Sequence, residues 1–200
     1  MHVPEAVRAR RMVRAYDPAR PIPREALDEL LRLALRAPSA GHTQGREFLV
    51  LDDITSLSTF WDATVSEAPN GWLQRMRTAP ALVIILADRA AYLDRYAEPD
   101  KGSTPPDQQQ WPVPYWDVDA GMAAMILLLA ATHSGLGACF FGVPGERWAA
   151  VRDAFGVPEQ LRPVGVVSLG YPAPDLRSPS LRRGVRPFRD VVRYGRYTGI

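Results

Sequence analysis

The sequence predicts one domain of mixed α and β structure that is not a regular doubly wound sheet. Two hundred residues with 46% hydrophobic content suffice for one core and leave little for a second full domain. Short apolar runs rich in β-branched residues are interspersed with longer stretches of helical periodicity. No Gly-x-Gly-x-x-Gly follows a strand, which disfavours a dinucleotide-binding Rossmann unit.

The elements follow in order. Residues 23–36 read as a helix, with Pro23 at a first-turn position and Leu27, Leu30, Leu31 and Ala34 on one face, stopping at Pro38. Residues 48–51 and 81–87 are apolar runs bounded by Asp52-Asp53, Pro80 and Asp88, suited to strands of a core sheet. Between them, residues 54–77 read as helical, interrupted near Pro69-Asn70-Gly71. Residues 96–114 turn polar and proline-rich and are expected to be a mobile loop. Residues 119–134 are apolar nearly all round, the pattern of a helix buried in the core or at a subunit contact. After Gly135-Leu136-Gly137, residues 138–141 read as a strand, 146–155 as an amphipathic helix and 163–169 as a second buried strand. An arm rich in Pro and Arg runs from Pro172 to the end, so the expected organisation is a single domain over 1–200.

Composition narrows the function classes. The longest uncharged apolar stretch, residues 120–131, is shorter than the roughly 18 residues a spanning helix needs, so no membrane partner is expected. The N-terminus lacks an apolar signal region, which makes the cytoplasm the default location. Cys139 is the only cysteine, ruling out an intrachain disulfide, and no metal site is expected. A net charge of +2 gives no argument for nucleic acid. The basic residues are nonetheless uneven: Lys101 is the one lysine, and 15 arginines fall in two end segments, Arg8 to Arg36 and Arg177 to Arg196. Most of these arginines read as solvated helix faces. A fold that brought both ends together would make an anionic-ligand pocket, because the guanidinium fork suits phosphate.

Two clusters carry chemistry. Arg10-Arg11-Met12-Val13-Arg14-Ala15-Tyr16 places three cations close together. Ala37-Pro38-Ser39-Ala40-Gly41-His42-Thr43-Gln44 supplies backbone donors, small side chains and two hydrogen-bonding side chains where a helix gives way to a strand. Such a loop suits the edge of a flat heteroaromatic ring, and by itself is also simply a turn. The remaining conspicuous residues have ordinary readings: Cys139 is a core thiol, His133 a polar residue at a helix C-terminus, and His2 a disordered terminal residue.

In this order and spacing the two clusters resemble the FMN-dependent nitroreductase family, whose N-terminal signature is Arg-Arg-Ser-x-Arg-x-Phe followed by Pro-Ser-x-x-Asn-x-Gln-Pro-Trp. Asp119-Ala120-Gly121 opening an apolar helix, Gly135-Leu136-Gly137-Ala138-Cys139-Phe140-Phe141-Gly142, and Gly170-Tyr171-Pro172 before the Arg-rich arm extend the resemblance over about residues 7–197. It implies an α+β fold, a central, mostly antiparallel sheet flanked by helices, with a long core and dimer helix. It also implies an oxidoreductase working as a homodimer, with FMN as cofactor, NAD(P)H as co-substrate and a small flat electron acceptor, by ping-pong hydride transfer. Arg10, Arg11 and Arg14 would approach the FMN phosphate and the ring's polar edge, with Met12 contributing only backbone. Pro38, Ser39, Ala40, His42 and Gln44 would line the ring and ribityl chain. Phe141 and Gly142, from the partner subunit or the same chain's far side, would sit near flavin N5. Arg183 and Arg186 would complete the phosphate site, although Arg182, Arg183 and Arg186 before Pro187 fit the family's C-terminal pattern in more than one register. Trp111, Tyr115 and Trp116 would either anchor the loop or roof the flavin and select flat substrates. No side-chain nucleophile or general acid is demanded.

The chain departs from the signature at His42 for Asn, Met12 for Ser, and Gly45-Arg46 for Pro-Trp. A histidine cannot reproduce an amide's adjacent donor and acceptor. A non-catalytic flavin-binding or sequestering protein of the same fold is therefore the alternative. The flavin-fragmenting branch is disfavoured because Arg10-Arg11-Met12 lacks that branch's carboxylate.

Overall fold

The computed structural model describes residues 1–65, 70–101, 111–176 and 178–197. Four strands form one sheet in the order β1-β2-β4-β3: β1 (Arg46–Leu51), β2 (Ala81–Asp88), β3 (Gly137–Phe141) and β4 (Leu161–Gly170). Every neighbouring pair is antiparallel. The expected antiparallel sheet flanked by helices is thus present.

β2 lies inside the sheet and is buried on both faces, which explains its unbroken run of apolar residues. Ala81, Val83, Ile85 and Ala87 pack on one face with Leu27, Leu30, Ala124 and Leu127. Leu82, Ile84 and Leu86 pack on the other with Phe60, Trp61 and Met76. The first face is covered by α2 (Arg24–Ala34) and α6 (Tyr115–His133), the second by α3 (Ile54–Thr64), α4 (Gly71–Met76) and α7 (Trp148–Phe155). The long core helix α6 starts four residues before the sequence suggested. Pro114 ends the preceding segment at the N-cap position, so Tyr115, Trp116 and Asp117 form the first turn. At 19 residues α6 is long and apolar enough to cross a bilayer, contrary to the shorter stretch expected, but half of its most hydropathic window is buried within the fold.

Three of the described helices escape the sequence reading. α1 (Val3–Ala9) carries Pro4 and Glu5 in its first turn, and the Glu5 carboxylate accepts the backbone N–H of His2 at 2.9 Å. His2 is the N-cap of this helix, which corrects the expectation of a disordered terminal residue. α5 (Arg89–Tyr96) is capped by Asp88, whose side chain accepts the amides of Ala90 and Ala91. The expected loop at 96–114 is therefore only partly irregular. Tyr96 closes α5, residues 99–101 form a 3-10 turn, Trp111 packs edge-on against Tyr96 and Tyr92, and residues 102–110 lie outside the described set. The helix expected over 146–155 is a 3-10 turn over 145–147 followed by α7. α8 (Phe188–Val191) is one exposed turn within the arm.

Candidate functional site

The first cluster is held by the edge strand. Met12 forms a parallel bridge with Ala138, and Val13 N–H donates to the Ala138 carbonyl at 2.9 Å. Farther along, Tyr16 bridges Pro172 and Ala173 N–H donates to the Ala15 carbonyl, so the start of the arm is laid beside the cluster. The Tyr16 hydroxyl donates to the Val13 carbonyl at 2.6 Å and pairs with Ser168 Oγ at 2.7 Å; burial raises its pKa well above that of an ordinary phenol. Met12 is more than backbone. Its thioether sulfur accepts the Phe140 amide at 3.4 Å and its side chain packs against both cores, a structural role beside the backbone contribution to FMN that the resemblance implies.

Here a cavity of about 640 Å³ opens between Arg10, Arg11, Met12 and Arg14 on one side and Asp175, Leu176, Ser178, Ser180 and Leu181 on the other. Arg10 Nη1 is buried in this region with no hydrogen-bond partner. A buried, unsatisfied guanidinium N–H is costly unless an anion or carbonyl meets it. Arg75, which the sequence did not single out, belongs to the same cluster: its Nε lies 3.8 Å from Asp175 Oδ1. Asp175 also accepts the Arg14 backbone N–H at 2.9 Å. The signal for Arg75 was only a cation in the last turn of a short helix.

The second cluster is a strained loop with several anchors. Gly41, His42 and Gln44 all adopt left-handed backbone angles, φ 62°, 55° and 57°. Two of these are non-glycine residues, a conformation that costs free energy and concentrates at functional sites. Buried Asp119 on α6 accepts Ala40 N–H at 2.8 Å and the Tyr92 hydroxyl at 2.7 Å. Burial and the Asp119 bond raise the Tyr92 pKa far above the usual range. Arg95 Nε donates to the Gly41 carbonyl at 2.9 Å, and Ser39 Oγ accepts Gln44 N–H at 2.8 Å. The exposed side chains of His42 and Gln44 meet at 3.1 Å.

The departures at Gly45 and Arg46 have local reasons. A Cβ at Gly45 would stand 2.7 Å from the Tyr92 ring and 3.0 Å from the Asp88 carbonyl oxygen, so the phenol that anchors the loop occupies this space. Arg46 is buried, and its Nη2 donates to the carbonyls of Leu35 and Ala37 beyond the end of α2.

The third group lies at the end of β3. Phe141 stacks on Trp61 at 5.8 Å and meets Trp72 edge-on at 5.9 Å, which leaves Gly142 exposed at the wall of a cavity of about 340 Å³ shared with Asn70 and Glu146. Trp61 and Trp72 were not among the expected site residues. Cys139, two residues earlier on β3, is buried, and burial raises its thiol pKa.

The expected residues thus fall in separate places of one chain. Arg10, Arg11, Met12 and Arg14 share a cavity; Phe141 and Gly142 line another; Pro38, Ser39, Ala40, His42 and Gln44 line neither. Arg183 closes an exposed 3-10 turn and Arg186 Nη2 donates to the Asp190 carbonyl at 3.0 Å, both outside the Arg10 cavity. Trp116 is 7% exposed and packs with Trp111 and Tyr92, an anchoring position, whereas Tyr115 is 41% exposed.

A family model described as "Nitroreductase family" matches residues 7–171. The chain belongs to the nitroreductase family. A provisionally named NADH dehydrogenase/NAD(P)H nitroreductase of Archaeoglobus fulgidus is 32% identical over 165 residues, covering 82% of this chain and 81% of that protein. A similarly named protein of Methanothermobacter thermautotrophicus is 31% identical, covering 86% and 78%. Among solved structures, a provisionally named nitroreductase of Desulfovibrio desulfuricans in complex with FMN superposes with a TM-score of 0.73 at 22% identity, covering 99% of both chains, which establishes the likeness of fold.

Proposed function

We propose that this nitroreductase-family chain is an FMN-dependent NAD(P)H oxidoreductase that reduces flat acceptors such as nitroaromatics or quinones by a ping-pong route. The observation that carries the reading is the cationic cavity at Arg10, Arg11 and Arg14, where Arg10 Nη1 is buried without a partner. That donor set fits a phosphate. The names of the archaeal relatives and the FMN held by the Desulfovibrio protein support the same assignment.

FMN, when bound, supplies the two-electron chemistry between a reduced nicotinamide and the acceptor. The chain's own tasks are binding and orientation. Arg10, Arg11 and Arg14 hold the phosphate. The loop at 38–44, fixed by Asp119 and Arg95, presents the ring edge with a preset backbone, and the exposed Gly142 backbone is offered to N5. Because the loop at 38–44 lines neither the Arg10 cavity nor the Gly142 cavity among the described residues, the proposed unit is a homodimer whose second copy supplies the missing wall.

The test is to incubate the purified protein with excess FMN, desalt it, record its flavin spectrum, and measure NADH and NADPH oxidation with a nitro or quinone acceptor. Retained flavin with acceptor-dependent oxidation is expected. A protein that stays colourless overturns the flavin assignment, and one that keeps flavin but oxidises neither nicotinamide is a flavin-binding protein instead.

A further inference from the structure

Asp175 is out of place in the cavity proposed above to receive a phosphate. Its side chain is only 2% exposed. Oδ2 accepts the Arg14 backbone N–H at 2.9 Å, and Oδ1 stands 3.8 Å from Arg75 Nε with no hydrogen bond of its own. The same cavity is walled by Arg10, Arg11 and Arg14, with Arg10 Nη1 unsatisfied. A carboxylate here offsets part of the positive potential that an incoming phosphate would meet. It is fixed by the arm, which is paired to the Arg14 segment through Tyr16–Pro172 and Ala173–Ala15.

We propose that Asp175 is an internal anion of the phosphate site: it occupies the Arg14 and Arg75 side of the cavity and competes by charge with any phosphate that binds there. It acts as a specificity-setting residue, lowering affinity for a phosphorylated ligand while leaving affinity for the neutral ring system unchanged. Weakly screened charges in a partly enclosed cavity interact strongly enough for one carboxylate to change dianion affinity by about tenfold.

The inference rests on the flavin reading only where FMN is the ligand, so the test carries a second ligand. Asp175→Asn keeps an oxygen acceptor for the Arg14 amide and removes the charge. Asp175→Ser is a smaller neutral variant that serves if Asn disturbs the arm. FMN and riboflavin are titrated by fluorescence against each protein at low salt, and inorganic phosphate is titrated by thermal shift. The expected result is FMN tighter by about tenfold, riboflavin unchanged, and phosphate stabilising the neutral variants at lower concentration than the parent. An unchanged ratio of FMN to riboflavin affinity together with an unchanged phosphate response overturns the proposal, as does weaker FMN binding in both variants. A stronger phosphate response with no FMN binding by any of the proteins leaves Asp175 assigned and removes the flavin reading. FMN binding with no change in any variant removes Asp175 alone.

Discussion

At Tyr16 one hydroxyl carries much of the local order, donating to the Val13 carbonyl and pairing with Ser168 Oγ inside the second core. Tyr16→Phe leaves that carbonyl buried without its partner and should lower stability by about 1–3 kcal/mol. Denaturant melts of the two proteins check this through a shifted midpoint at constant slope. Arg10→Ala should weaken FMN by about tenfold to a hundredfold while sparing riboflavin, since a charge-assisted bond contributes roughly 1.5–3 kcal/mol. Parallel titrations of the two flavins read it, and equal weakening of both would refute the phosphate role. Individual residues were legible where spacing alone brings them together, as with Arg10, Arg11 and Arg14, which line one cavity. They were not where the chemistry depends on a distant partner. Nothing in the sequence links Asp175 to Arg14 and Arg75, or the Met12 sulfur to the Phe140 amide.

Among the elements, the apolar ones declared themselves and the polar ones did not. β2 buries seven of its eight residues and α6 nine of its nineteen, and both patterns survive in the sequence. α1 is short and exposed on most sides and α5 is short, half-buried and buries only Tyr92, so their order depends on end caps rather than on periodicity. The loop at 38–44 is the element on which most anchors converge, and its geometry is set by α5 and α6 together. Asp119→Ala removes the acceptor of both Ala40 N–H and the Tyr92 hydroxyl. It should lower the melting temperature and weaken FMN and riboflavin alike, since the loop is assigned to the ring, and a thermal melt with both titrations measures this. The Arg95 anchor is acid-sensitive. Hydrogen bonds from Arg95 hold the Asp100 pKa at about 2, below its ordinary 3.8. A depressed carboxylate pKa stabilises the fold above the unfolded value and loses that contribution as pH falls through the folded one. The Gly41 anchor should therefore loosen between about pH 4 and pH 2, seen as amide exchange at His42 that is slower in the native protein than in Asp100→Asn above this range and approaches the variant's rate within it, corrected for intrinsic rates.

For the molecule as a whole, the unexplained surface is on α6. Its inner face is buried, yet Tyr115, Met122 and Met125 remain 41%, 41% and 39% exposed, spaced so that they fall along one outer side. Beside the later turns, Ile126, Leu129 and His133 join Val3, Ala6 and Leu33 around an apolar groove of about 210 Å³. A chain that exposes two methionines and an open apolar groove on its longest helix is poorly suited to remain alone. A symmetric partner would cover both at once. It would also account for a proposed ring loop that lines neither the Arg10 cavity nor the Gly142 cavity among the described residues, the feature least legible in a single sequence. The parent protein should sediment as a dimer, and the pair Met122→Glu and Met125→Glu, placing charges on that face without touching the buried side, should sediment as a monomer. If FMN is held between the copies, it binds only the assembled form, so saturating flavin should raise both dimer fraction and melting temperature in the parent by mass action. Sedimentation velocity over a range of protein concentrations, with and without FMN, decides between the models. A monomer of 22.2 kDa that retains flavin and oxidises a reduced nicotinamide would defeat the interface model and return every site residue to one chain.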